Sequence, residues 1–118
     1  MEEANAVIDQ QTIDQLRELM GSDFMVELID TYCQETGMLI EQLYQTLASR
    51  DTAAFGRCAH SIKSSSASLG ALIFSQQARE LEMMGKANDL SEAESKLEKL
   101  AADFVLVKQS LEELRNEP

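Results

Sequence analysis

Apolar residues recur at helical spacing along almost the whole chain. Towards the C-terminus they fall at Leu97, Leu100, Phe104, Val107, Leu111 and Leu114. Those gaps alternate between three and four, which marks the seam of a helix in an antiparallel bundle. A long run earlier in the chain behaves similarly, with Phe24, Leu28, Ile29, Tyr32, Thr36, Leu39, Ile40, Leu43 and Leu47 on one face. Glu27, Asp30, Glu35 and Glu41 lie on the other. The pattern predicts a tail over residues 1–8, then a short helix over about Thr12–Met20 with Ile13, Leu16 and Met20 inward, stopped by Gly21. Ser22 is the expected N-cap of the long helix, which runs to about Ala48 with Asp23 in its first turn, where the dipole favours an anion. Ser49-Arg50-Asp51 is a tight connection whose aspartate caps a third helix, and Gly70 ends it or lets the next helix approach closely. A fourth helix covers about Ala71–Met84, with Ala71, Phe74, Ala78 and Leu81 inward and Gly85 as its stop. Ser91 and Glu94 form an S-x-x-E capping box for the last helix. Short connections make successive helices antiparallel. The expected fold is all-α: an up-down-up-down four-helix bundle with a short additional N-terminal helix, one domain over 1–118 whose ordered bundle covers about residues 10–115.

Composition agrees with this reading. The sole proline is Pro118, so nothing interrupts the helices, and scarce aromatics and few β-branched residues disfavour a sheet. At 44% apolar residues the 118-residue chain can bury a core, and no apolar run is long enough for a membrane span. The first residues, Met1-Glu2-Glu3-Ala4-Asn5, have no apolar signal-peptide core, and a cytoplasmic protein is expected. The net charge of −11 disfavours nucleic acid and anionic membranes, and polar outer faces point to a monomer. Cys33 and Cys58 stand on apolar faces without a CxxC or Cys/His cluster, which suits free thiols and no metal.

Charge is nevertheless uneven. Between Thr52 and Arg79 there is no acidic residue, and this window holds the sole histidine, His60. Wound at 100° per residue, Phe55, Cys58, Ala59, Ile62, Ser66 and Leu69 form one stripe, and Gly56, Arg57, His60, Lys63, Ser64 and Ala67 form the other. The second face is small and positive, shaped for an anionic group to approach His60. A lone histidine is more often structural than functional, but His60 lies away from the apolar stripe. Lys63 at i+3 and Arg57 at i−3 share its face, which disfavours a protonated imidazole and leaves a ring nitrogen free as nucleophile. The same cations suit an added phosphoryl group. Ser65 and Ser66 are expected to pack between close helices.

His60-Ser61-Ile62-Lys63, the small run Ser64-Ser65-Ser66 and Leu69-Gly70-Ala71 resemble the signature of histidine-containing phosphotransfer (HPt) domains: His, any residue, an aliphatic, Lys, a small residue, and Gly ten positions after the His. The layout resembles free-standing bacterial members. The resemblance implies a phosphorelay intermediate of a multistep two-component system. His60 would take a phosphoryl group from an aspartyl-phosphorylated receiver or a hybrid sensor kinase and pass it to a response-regulator receiver. Lys63 would neutralise the phosphoryl oxygens, and Glu82 falls where such proteins often place a polar residue against the second imidazole nitrogen. Gly56, Ser64, Ala67 and Gly70 would serve receiver approach and close helix packing. No cofactor is implied on this chain, because Mg²⁺ comes with the receiver, and no kinase activity. Ser64 departs from the glycine common after the lysine and adds a hydroxyl.

Two competing classes remain. A non-phosphorylated helical adaptor docking on a receiver or another signalling protein would have no need for both His60 and Lys63. A haem or di-metal bundle needs several inward His or Glu ligands, which one outward histidine cannot supply.

Overall fold

The computed structural model describes residues 7–116, and the helices among them are α1 (Gln10–Met20), α2 (Ser22–Ser49), α3 (Thr52–Ser68), α4 (Leu72–Lys86) and α5 (Ala93–Arg115). Helices adjacent in sequence are adjacent in space: α2 packs on α3, α3 on α4, α4 on α5, and α5 returns to α2, while α1 lies against α2. The four long helices thus close a ring, and α1 is the short addition. The 28 residues of α2 span about 42 Å at helical rise, close to the 45 Å long axis of the molecule.

The core is a layer of large aliphatic side chains between the four helices. Ile29 and Leu43 from α2, Phe55 and Ile62 from α3, Leu81 from α4, and Leu97, Leu100 and Leu111 from α5 are fully buried. Phe74 and Phe104 meet with ring centroids 5.9 Å apart. A polar contact inside this layer joins α2 to α3: the Tyr32 hydroxyl and Ser66 Oγ stand 2.7 Å apart. Burial pushes the Tyr32 phenol up from 10.0 to about 12, against the opposing effect of the Ser66 hydrogen bond. Cys33 and Cys58 are free and half-buried. No described helix is long and apolar enough to cross a membrane.

Several local expectations are corrected. Residues 1–6 lie outside the described residues, but Ile8, expected in the tail, is core, and Asp9 N–H donates to Gly70 O at 2.8 Å. That bond ties the segment before α1 to the α3–α4 turn. Gly21 ends α1 with φ +87 and also stands as the N-cap of α2, so Ser22 is already helical and makes no side-chain cap. Met25 rather than Phe24 enters the core, and Phe24 and Met20 are exposed. A register read over a helix this long is easily displaced by one residue at its end. Asp51 does cap α3, its Oδ1 accepting from Ala54 N–H at 3.1 Å.

The capping box does not form. The last helix begins at Ala93 with Glu92 as N-cap and no side-chain cap, while Ser91 N–H donates to Asp89 Oδ1 at 3.1 Å in the preceding turn. Gly85 is not a stop either: α4 continues through it to Lys86, and Ala87 is its C-cap. A glycine inside a helix costs about 1 kcal/mol relative to alanine, and the reason for one here is the approach of α3. A Cβ on Gly85 would lie 2.8 Å from Gly56 Cα, 2.8 Å from Thr52 O and 2.9 Å from Gly56 N.

Candidate functional site

Where α3 crosses α4, His60 faces α4 and Glu82 faces α3. His60 is set on α3 by the Asp51 cap below it and by the buried stripe Phe55, Ala59 and Ile62 on the opposite side of the helix. That leaves its own side chain 56% exposed. Glu82 sits beside Leu81 on the inner side of α4 and is only 5% exposed, a nearly complete burial for a carboxylate. His60 Nδ1 and Glu82 Oε2 are 2.8 Å apart, and Lys63 Nζ reaches the other oxygen, Oε1, also at 2.8 Å. Lys86, one turn beyond Glu82 on α4, stands 3.4 Å from Oε2.

These contacts determine protonation. The Lys63 hydrogen bond holds the Glu82 carboxyl at about 2, far below its ordinary 4.5; burial opposes this and the His60 contact assists it. Glu82 is therefore a carboxylate at neutral pH and can only accept. The ring nitrogen facing it must donate, which fixes the Nδ1–H tautomer when the imidazole is neutral. The lone pair then resides on Nε2, which has no hydrogen-bond partner among the described residues. An uncharged imidazole whose free nitrogen has no partner and whose other nitrogen is held by a buried anion can act as a nucleophile.

An open groove runs from this pair towards the start of α3, with Thr52, Arg57, Glu82, Lys86 and Asn88 among its walls. Thr52 Oγ1 donates to Asn88 Oδ1 at 2.6 Å across its far end. Arg57 is exposed on the wall and makes no hydrogen bond or ion pair with the described residues. Among those residues no group of three or more His, Cys, Asp or Glu is arranged to hold a metal.

The structure brings His60, Lys63 and Glu82 into direct contact and places Arg57 beside them. It changes the electrostatic picture drawn from α3 alone. The imidazole is not simply flanked by cations; a carboxylate from the next helix stands between it and two of them. Ser64 and Ala67 are exposed further along the His60 side of α3, an open surface. Gly56 is buried against α4: a Cβ there would meet Glu82 O and Gly85 Cα at 3.7 Å. Gly70 packs closely, but under the segment before α1 and not on the approach side. Its φ is +84, and a Cβ would lie 3.1 Å from Asp9 O and Thr12 Cβ. Of the serines, Ser66 is buried on Tyr32, whereas Ser65 is exposed and bonds back to Ser61 O at 3.0 Å. Lys86 was missed by sequence reasoning. Its signal was the i+4 spacing from Glu82, hidden because the expected helix stops at Gly85, one residue short of Lys86.

Comparisons with known proteins agree with this fold. The Hpt domain family matches residues 27–117. Phosphorelay protein LuxU of Vibrio harveyi is 33% identical over 86 residues, which cover 73% of this chain and 75% of that protein. The crystal structure of histidine-containing phosphotransfer protein B (HptB) from Pseudomonas aeruginosa PAO1 superposes with a TM-score of 0.87 at 26% identity, covering 92% of this chain and 94% of that one.

Proposed function

The chain belongs to the Hpt domain family, and on that premise we propose that it is a phosphohistidine carrier whose acceptor is Nε2 of His60. The donor is the aspartyl phosphate of a receiver domain or hybrid sensor kinase, and the acceptor of the next step is a response-regulator receiver. Nε2 attacks phosphorus, the aspartyl O–P bond breaks, and the electron pair leaves on the receiver's carboxylate. The positive charge that develops on the ring, still protonated at Nδ1, meets the Glu82 carboxylate 2.8 Å away. Lys63 and the exposed Arg57 lie on the same side of α3 and would neutralise phosphoryl oxygens; phosphoryl transfer depends mainly on such positioning and charge. Mg²⁺ would be supplied with the receiver. The protein turns over no substrate alone: it is loaded and unloaded by its partners, as a monomer in the cytoplasm.

The single observation that carries this reading is an exposed imidazole with Nδ1 held by a buried carboxylate and Nε2 without a partner among the described residues. The test is phosphoryl transfer from an aspartyl-phosphorylated receiver, with Mg²⁺, onto wild type and His60→Gln. An acid-labile, base-stable label is expected on wild type alone. A folded wild type that takes no label from a panel of receivers and hybrid kinases would sink the reading.

A further inference from the structure

We propose that Gly85 is a positioning residue for His60: its missing side chain lets α4 close onto α3 until Glu82 reaches the imidazole. The inference rests on His60 being the phosphoryl acceptor. Gly85 lies three residues after Glu82 on α4, and Gly56 lies four residues before His60 on α3. The helices run antiparallel, so the glycine pair and the His60–Glu82 pair are neighbouring rungs of one crossing, about one helical turn apart.

At the glycine rung there is no side chain to yield. A Cβ on Gly85 would stand at 2.8–2.9 Å from three atoms, Gly56 Cα, Gly56 N and Thr52 O, all backbone. Such a contact is relieved only by moving one helix. The next rung has little slack for that movement, because Glu82 spans the gap with hydrogen bonds of 2.8 Å to both His60 and Lys63. The Thr52–Asn88 bond pins the same end of the crossing. The two glycines are not equivalent. A Cβ on Gly56 meets its nearest atoms at 3.7 Å, ordinary van der Waals contact. Gly56→Ala is therefore accommodated and Gly85→Ala is not, although both are glycines of the same contact.

The experiment is ¹⁵N NMR of the His60 ring in the full chain, paired with the transfer rate from a phosphorylated receiver. Wild type and Gly56→Ala should both show a protonated Nδ1 and an unprotonated Nε2 at a pH where the ring is neutral. Gly85→Ala should show a mixture of tautomers and a rate at least about tenfold lower, as expected when a reacting group is displaced on the ångström scale. A Gly85→Ala ring spectrum like wild type, or an equal effect at Gly56, overturns the proposal. If Gly85→Ala does not fold, Glu82→Asp decides. A backbone contact that sets the spacing cannot close up for a side chain one methylene shorter, so the tautomer preference should be lost, and its retention overturns the proposal. The ring spectrum reports positioning whether or not phosphate is transferred. Failure of wild type to accept a phosphoryl group would therefore strike the carrier reading and leave the tautomer comparison to judge Gly85.

Discussion

The contact between α3 and α4 and the seam of α5 are built on opposite principles. At the seam, Leu97, Leu100, Val107 and Leu111 fill space with side chains that can each be trimmed. At the α3–α4 contact, Gly56 and Gly85 bring backbones together, and the side chains one turn away carry charge. A packed aliphatic seam responds to change in proportion to the volume removed, because neighbours relax only partly into a cavity. A backbone contact leaves nothing to repack. Stability should therefore be concentrated in the first region and chemistry in the second, and each can be damaged without the other.

The largest stability effect tests the seam. Leu111→Ala should destabilise by about 2–5 kcal/mol in denaturant unfolding, as for fully buried leucines in other cores. Its folded fraction should accept phosphate at the wild-type rate. A strong loss of transfer in folded Leu111→Ala would mean the two regions are coupled.

An intermediate effect belongs to Glu82, which lies in the α3–α4 contact and contributes to stability through its ion pairs. Its carboxyl titrates near 4.5 when unfolded and near 2 when folded, chiefly because of Lys63. The stabilisation is complete above pH 4.5 and is lost as pH falls towards 2, because the unfolded chain takes up the proton first. In Glu82→Gln this component is absent, so the fall in stability across that window should be shallower than in wild type. Parallel acid limbs for the two proteins would show that the ion pairs do not persist in solution.

The smallest stability effect should come with the largest functional one. His60→Gln, at an exposed position, should change unfolding free energy by no more than about 0.5 kcal/mol while abolishing the label. A loss of several times that amount would make the histidine part of the scaffold.

These regions were not equally legible in the sequence. The α5 seam could be read because Leu97, Leu100, Val107, Leu111 and Leu114 obey a spacing that only one helix face satisfies, and all are buried. His60 and Lys63 were legible as a face of α3 and through the resemblance. Gly85 was misread because glycine marks both helix ends and close helix contacts; only the neighbouring helix distinguishes them. Ser91 and Glu94 had the spacing of a capping box, but Asp89 took the Ser91 N–H into a turn. Ile8 looked like tail because the bond that ties down its neighbour, from Asp9 N–H to Gly70 O, comes from the distant α3–α4 turn. The misses at Gly85 and Ile8 depended on tertiary neighbours far away in sequence, and the one at Ser91 on a local turn.

The Tyr32–Ser66 contact has an optical consequence. The chain contains no tryptophan and two tyrosines, so its near-ultraviolet absorption and emission belong largely to Tyr32, which is buried, and Tyr44, which is exposed. The Tyr32 phenol resists ionisation up to about 12 while the α2–α3 contact stands, and returns to 10.0 once it opens. Phenolate absorbance followed at a fixed pH between those values therefore provides the unmodified protein with its own dye: the Tyr32 signal appears only in molecules whose helices have parted.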